Sequence, residues 1–256
     1  MQDLFSLKNK VAIITGGNGG IGQAIGRGLA AMGADIIIAA RNENKTAKAV
    51  RELRKEFGGR VLGIKVDVRS EEEIQSMNSQ ALDTFKRIDI LVNNAGIGIR
   101  KMPQDYTVNE WDEVISTNLR SVFLCSKAVY RIMKKIGCGK IINIGSMLSI
   151  FGGARMAPYG TSKGGVVQLT RSLAVAWAPD NIQVNAILPG WFDTDLTVAA
   201  RRDIPSLHER VLSRVPAGRW GQPSELIGSA IFLASHASDY ITGVALPVDG
   251  GYSISV

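Results

Sequence analysis

Tyr159 and Lys163 stand four residues apart in the segment YGTSK, a spacing that puts both side chains on one face of a helix. A phenol with its ordinary pKa near ~10 is a poor base at neutral pH. A cation held beside it stabilises the phenolate and draws that value down. Such a tuned tyrosine can move a proton to or from an oxygen. Ser146 lies 13 residues before Tyr159, directly after the apolar run KIINIG. A hydroxyl at the carboxyl end of a strand can hold a substrate oxygen and stabilise charge as it develops there. Tyr/Lys pairs and post-strand serines are common, so each signal is weak by itself. Together they outline a site that interconverts a hydroxyl and a carbonyl, provided that something else carries the hydride.

The glycine cluster TGGNGGIG, Thr15 to Gly22, points to that carrier. It follows a short apolar run and opens a helical pattern, the context in which such a motif is credible. Gly16 allows the tight turn, Gly20 lets backbone approach a pyrophosphate, and Gly22 permits close helix–strand packing. Asn18, Gly19 and Ile21 complete the loop, whose free N–H groups favour a phosphate at the helix N-terminus. The second apolar run ends IIIAARN, with Ala40 where an acid would accept the ribose 2′-hydroxyl. Arg41 and Asn42 follow. A guanidinium matches a 2′-phosphate and keeps its charge. The sequence thus predicts NADP(H) as the preferred cofactor, with NAD(H) as a second one.

These groups need a scaffold that brings strand ends together. Apolar, β-branched runs fall at 10–15, 34–40, 61–67, 88–94, 140–146, 182–188 and 243–249, alternating with helical patterns at 20–32, 44–57, 71–86, 107–136, 158–178 and 222–234. Strands that are apolar throughout, each followed by a helix, indicate a parallel sheet covered on both faces. Right-handed crossovers make that sheet doubly wound. The expected fold is α/β: a single-domain Rossmann fold over 1–256, with a seven-stranded parallel sheet. The stretch 190–220 carries Pro189, Gly190, Pro205, Pro216 and Gly218 at or within its edges and is expected to be a substrate lid.

Composition narrows the class further. Of 256 residues 45% are hydrophobic, enough for a large core. The two cysteines form no framework. No apolar leader or membrane-length run occurs, so a cytoplasmic protein without a membrane partner is expected. The net charge of +7 is spread along the chain rather than concentrated with aromatics, which argues against a nucleic-acid partner. The two histidines, His208 and His236, have no companions at metal-ligand spacing, and no metal site is expected.

The pattern TGxxxGxG, with Asn93–Gly96 as NNAG, Asp67–Val68 closing the third strand, Pro189–Thr194 as PGWFDT, and Ser146, Tyr159 and Lys163 in order, resembles the short-chain dehydrogenase/reductase family over almost the whole chain. The resemblance implies an alcohol dehydrogenase or carbonyl reductase. It implies that Asp67 and Val68 contact the adenine, that Asn94, Ala95 and Gly96 lie along the cofactor, and that Pro189, Gly190 and Thr194 flank the nicotinamide. Asn118, in STNLRSVF, matches the family's fourth catalytic position and would hold a water in a proton relay reaching Lys163. A homotetramer is also implied, and the central helices support it, because they carry apolar residues on more than one face.

Specificity is less legible. Arg155, four residues before Tyr159, suits an anionic substrate. Candidate substrate contacts are Ser146, Tyr159, Arg155 and Trp191. The segments SMLSIFGGAR and RVPAGRWGQPSELIG look like those of the sugar-acid dehydrogenases. A 3-oxoacyl-carrier-protein reductase and a glucose 1-dehydrogenase are the enzymatic alternatives. A non-catalytic NADP-sensing regulator is the remote one.

Overall fold

The computed structural model describes residues 2–255. Strands β1 (Val11–Thr15), β2 (Asp35–Ala40), β3 (Val61–Lys65), β4 (Ile90–Asn93), β5 (Gly139–Ile144), β6 (Ile182–Pro189) and β7 (Ala245–Val248) form one parallel sheet. Its order is β3-β2-β1-β4-β5-β6-β7. Helices α1 (Gly20–Ala31), α2 (Glu43–Phe57), α3 (Glu71–Phe85), α4 (Val108–Ile115), α5 (Ser121–Ile136), α6 (Ala157–Trp177) and α9 (Ile227–Ala234) cover it, and α7 (Asp195–Asp203) and α8 (Leu207–Arg214) lie in the long connection after β6. This is the expected doubly wound Rossmann sheet.

Alternation along the strands fills both faces. Ile14, Ile36, Ile38 and Val92 pack against Ile25 and Leu29 of α1, whereas Ile13, Ile37 and Leu91 pack against Ile74 and Met77 of α3 and Val129 of α5. Cys125 belongs to this second face and is 1% exposed. Burial pushes its thiol up to about 12, consistent with a packing role.

The order reverses between β1 and β4, and a crevice opens there at the carboxyl ends. Thr15 closes the floor of that crevice. Its hydroxyl donates to the Val92 carbonyl at 3.3 Å and accepts from the N–H groups of Asn94 and Ala95 at 3.0 and 3.1 Å. One side chain thus ties the glycine loop to the NNAG segment.

One local reading needs correction. The helix expected over 107–136 is α4 and α5 joined by a π-helical turn, Ser116–Arg120. Such turns widen a helix by one residue and often mark functional positions; periodicity alone does not reveal them. The stretch 190–220, expected to be a lid, contains α7 and α8. These helices bury Ala200, Leu207, Val211, Val215 and Trp220 in a cluster of their own. Of the apolar residues on the central helices, Val114, Val122, Leu124, Val166, Val167 and Leu173 are buried within the chain, while Phe123 and Val175 are exposed. Among the described residues, no helix is long and apolar enough to cross a membrane.

Candidate active site

Ser146 ends the β5 connection as the N-cap of a short 3-10 turn, Met147–Ser149, and its Oγ accepts from the Leu148 N–H at 3.1 Å. Tyr159 lies in the first turn of α6, just after Pro158, a residue that suits a helix start. Lys163 follows one turn later. Its Nζ is 5.7 Å from the centre of the Tyr159 ring and donates to the Ile144 carbonyl at 2.6 Å. Ser149 Oγ donates to the Lys163 carbonyl at 2.8 Å, which locks the turn against the helix. Ser146, Tyr159 and Lys163 therefore line one cleft at the carboxyl end of the sheet.

The electrostatics differ from expectation. Burial lifts the Tyr159 phenol above its ordinary value, opposed by a hydrogen bond with Ser146 and by the charge of Arg100. Burial also pulls Lys163 down, to about 8. Desolvation outweighs these opposing influences on Tyr159, and it acts on both buried groups. A phenolate there needs additional positive charge in the cleft.

Asn118 is fully buried in the π turn. Its Oδ1 accepts from the Ile97 N–H at 2.8 Å, and its Nδ2 donates to the Ile97 carbonyl at 2.9 Å and to Ser162 Oγ at 3.2 Å. The side chain is thus committed to shaping the 94–97 loop. A relay water, as expected at this position, would rest on atoms other than the engaged amide.

The same cleft continues over the glycine loop. Gly16, Asn18, Gly19, Gly20, Ile21, Asn94, Ala95, Gly96, Pro189, Gly190 and Thr194 line it. Gly16 and Gly20 have φ of +64° and +52°, values that glycine adopts freely. Gly22 does not line the cleft. A Cβ there would meet Asn94 Nδ2 at 2.4 Å and the Gly16 carbonyl at 2.6 Å, so its role is packing. A second lobe, between the ends of β2 and β3, is lined by Arg41, Asn42, Asp67 and Val68. Asp67 is chelated by Arg69, whose Nε lies 3.0 Å from each carboxylate oxygen. That pairing holds the Asp67 carboxyl below its usual range. Thr117 Oγ1, also on this lobe, is buried without a hydrogen-bond partner. A phosphate cradle joined to a lobe with an orphaned hydroxyl fits a dinucleotide.

A family model described as Enoyl-(Acyl carrier protein) reductase matches residues 16–253. The chain belongs to the short-chain dehydrogenase/reductase family. It is 44% identical to the 2-dehydro-3-deoxy-D-gluconate 5-dehydrogenase of Escherichia coli K12 over 250 residues, covering 97% of each chain. It is 43% identical to the 5-keto-D-gluconate 5-reductase of the same organism over 256 residues, the full length of both. A solved structure of a gluconate 5-dehydrogenase from Burkholderia cenocepacia J2315 in complex with NADP and tartrate matches with a TM-score of 0.95 and 41% identity, covering 100% of this chain and 99% of that one.

In this member of the short-chain dehydrogenase/reductase family, two expected substrate contacts, Trp191 and Arg155, are not among the residues that line this cleft. Trp191 meets Trp220 edge-on at 5.5 Å and packs against the apolar cluster of α7 and α8. Its neighbour Phe192 lines the cleft instead. Arg155 is exposed and outside the cleft lining; its backbone carbonyl anchors Lys101 and Tyr106. Sequence reasoning missed Arg100, which is half-buried and close enough for its charge to act on Tyr159. It carries no ion pair among the described residues. Its only sequence signal was its place shortly after NNAG, on the loop leaving a strand's carboxyl end. Lys45, which lines both lobes, was also missed.

Of the histidines, His236 is exposed and pairs with Asp239 at 3.0 Å, and His208 accepts from Trp220 Nε1 at 3.1 Å. A further cavity at the opposite end of the sheet, lined by Lys10, Asp89, Lys140 and Asp239, has its charges satisfied internally. Lys140 meets Asp239 at 2.8 Å, and Asp89 meets Arg87 at 2.6 Å.

Proposed function

We propose that this short-chain dehydrogenase/reductase interconverts a secondary alcohol and a ketone on a sugar acid, with NADP(H) as its preferred cofactor. The observation that carries this reading is the convergence of Ser146, Tyr159 and Lys163 on a cleft continuous with the glycine cradle. The near full-length likeness to sugar-acid enzymes sets the substrate class.

Gly16, Asn18, Gly19, Gly20 and Ile21 would hold the diphosphate, Asp67, Val68 and Thr117 the adenine, and Arg41 and Asn42 the 2′-phosphate. Asn94, Ala95, Gly96, Pro189, Gly190 and Thr194 would flank the nicotinamide. When bound, the cofactor supplies or accepts the hydride and, when oxidised, brings the positive charge that the buried phenol lacks. Ser146 holds the carbonyl oxygen and Tyr159 Oη gives it a proton in reduction, or takes one in oxidation. Lys163 supports the phenolate form, and Asn118 fixes the loop beneath the site. The segment 190–220 acts as the lid. The exposed Phe123 and Val175 support burial against further copies in a homotetramer, and the cytoplasm is the expected compartment.

The test is the change in NADPH absorbance with a panel of keto acids of sugar type, neutral ketoses and acetoacetyl thioesters. Turnover highest on the keto sugar acids supports the reading, and turnover confined to the thioesters overturns it. Arg41→Asp should weaken NADPH binding about 10- to 100-fold while leaving NADH nearly unchanged, since a charge-assisted pair becomes a repulsion. Equal losses on both would remove Arg41 from that role.

Arg100, whose charge acts on Tyr159, joins Arg155 as a candidate partner for a substrate carboxylate, and the two are ranked by experiment. Arg100→Ala should raise KM for a keto sugar acid about 10-fold or more, in keeping with the loss of one charge-assisted contact. Arg155→Ala should leave KM within about two-fold, as exposed charges contribute little. The opposite ranking would restore Arg155.

A further inference from the structure

Ser149 closes the short turn after Ser146 and is half-buried, yet it does not line the cleft. Its Oγ accepts from the Ser146 N–H at 3.1 Å and donates to the Lys163 carbonyl at 2.8 Å. A hydroxyl has one proton to give and two lone pairs to receive with. Here the proton goes to α6 and a lone pair goes to the end of the β5 connection. One side chain therefore joins the backbones of two site residues that stand on separate elements.

The packing around this hydroxyl is close. A Cβ built on Gly145 would stand 3.1 Å from Ser149 Oγ. A Cβ on Gly160 would stand 3.6 Å from the Leu148 carbonyl oxygen, and one on Gly164 3.7 Å from the Ser149 carbonyl oxygen. The turn thus lies directly on the stretch of α6 that carries Tyr159 and Lys163. Ser146 Oγ accepts from the Leu148 N–H at 3.1 Å, which leaves its own proton for an oxygen in the cleft. The chain between this turn and α6, residues 150–156, contains no helix or strand and cannot set a distance. Lys163 Nζ makes a second tie, to the Ile144 carbonyl at 2.6 Å, but it uses the ammonium that must also support the Tyr159 phenolate. The Ser149 tie uses only the Lys163 backbone.

We propose that Ser149 is a positioning residue, which holds the Ser146 hydroxyl at the distance from Tyr159 and Lys163 that lets all three act on one substrate oxygen. This rests on the catalytic roles given above. Groups that act together on one atom must be held to a fraction of an ångström, and a misplacement of about 1 Å can cost about 100-fold in rate. Ser149 lines neither lobe, so its loss should alter the alignment of the reacting groups and not the binding of cofactor or substrate.

The test is steady-state kinetics with NADPH and whichever compound of the panel above turns over fastest, on the wild type, Ser149→Ala, Ser149→Thr and Tyr159→Phe. Urea melts and an NADPH titration accompany each variant and show that it is folded under the assay conditions. Ser149→Ala should lower kcat about 10-fold or more, while KM and NADPH affinity stay within about 2-fold. Ser149→Thr keeps the hydroxyl and should recover most of that kcat. Equal losses in kcat and NADPH affinity in Ser149→Ala would make Ser149 a structural residue only and overturn the proposal, as would a threonine variant as slow as the alanine one. A wild-type kcat in Ser149→Ala beside an inactive Tyr159→Phe fails this proposal alone. Turnover retained in Tyr159→Phe fails the catalytic reading on which it rests.

Discussion

Replacing Tyr159 by phenylalanine should lower turnover about a thousand-fold or more while NADPH still binds with nearly its full affinity, in line with the usual worth of a positioned acid–base group. The substitution removes one oxygen from a side chain whose ring centre lies 5.7 Å from Lys163 Nζ. The ring survives, so the shape of the cleft survives. What goes is the proton donor beside Ser146. Arg41 and Asn42 lie on the other lobe and do not feel the change. Single-turnover kinetics together with a cofactor titration separate these effects. A variant retaining a tenth of wild-type turnover would take the proton-transfer role from Tyr159.

Lys163→Met should also be severe, with kcat down about a hundred-fold or more, because an uncharged side chain of similar length cannot support a phenolate. Its second signature is thermodynamic. Lys163 is held at about 8 in the folded chain, against an ordinary value of 10.5. Below pH 8 it is protonated in both states, and the cost of burying its charge is present in full. Between 8 and 10.5 the unfolded chain binds more protons than the folded one, so stability rises with pH. The wild type should therefore gain about 2 kcal/mol relative to Lys163→Met between pH 7 and pH 9.5, at about 1.4 kcal/mol per unit. Urea melts at the two pH values measure it. A difference that does not change with pH would mean that Lys163 keeps an ordinary pKa when buried.

Much of this protein was legible without coordinates, for reasons that are local. Tyr159 and Lys163 share a helix face because an α-helix repeats every 3.6 residues. The strands read as strands because a sheet buried on both faces leaves no polar alternation. Gly16 and Gly20 announced the loop because only glycine enters positive φ without strain. A cation at the end of β2 and the absence of an acid there were equally plain in the sequence.

What stayed hidden depended on contacts between distant segments. Asn94 reaches the carbonyl of Gly16 across 78 residues only because the winding reverses between β1 and β4. Whether Arg100 or Arg155 faces Tyr159 depends on how two loops fold over the cleft, and neither loop has a period to read. Trp191 has the composition of a substrate contact, yet α7 and α8 formed a cluster that claimed it. The depression of Lys163 and the rise of Tyr159 reflect burial, which charge spacing along the chain does not encode. The sequence by itself determined the fold and the chemical pair, since both follow from short-range periodicity and residue type. Only the tertiary structure decided which arginine's charge acts on Tyr159 and which aromatic lines the cleft, because side-chain direction is set by packing between elements far apart in the chain.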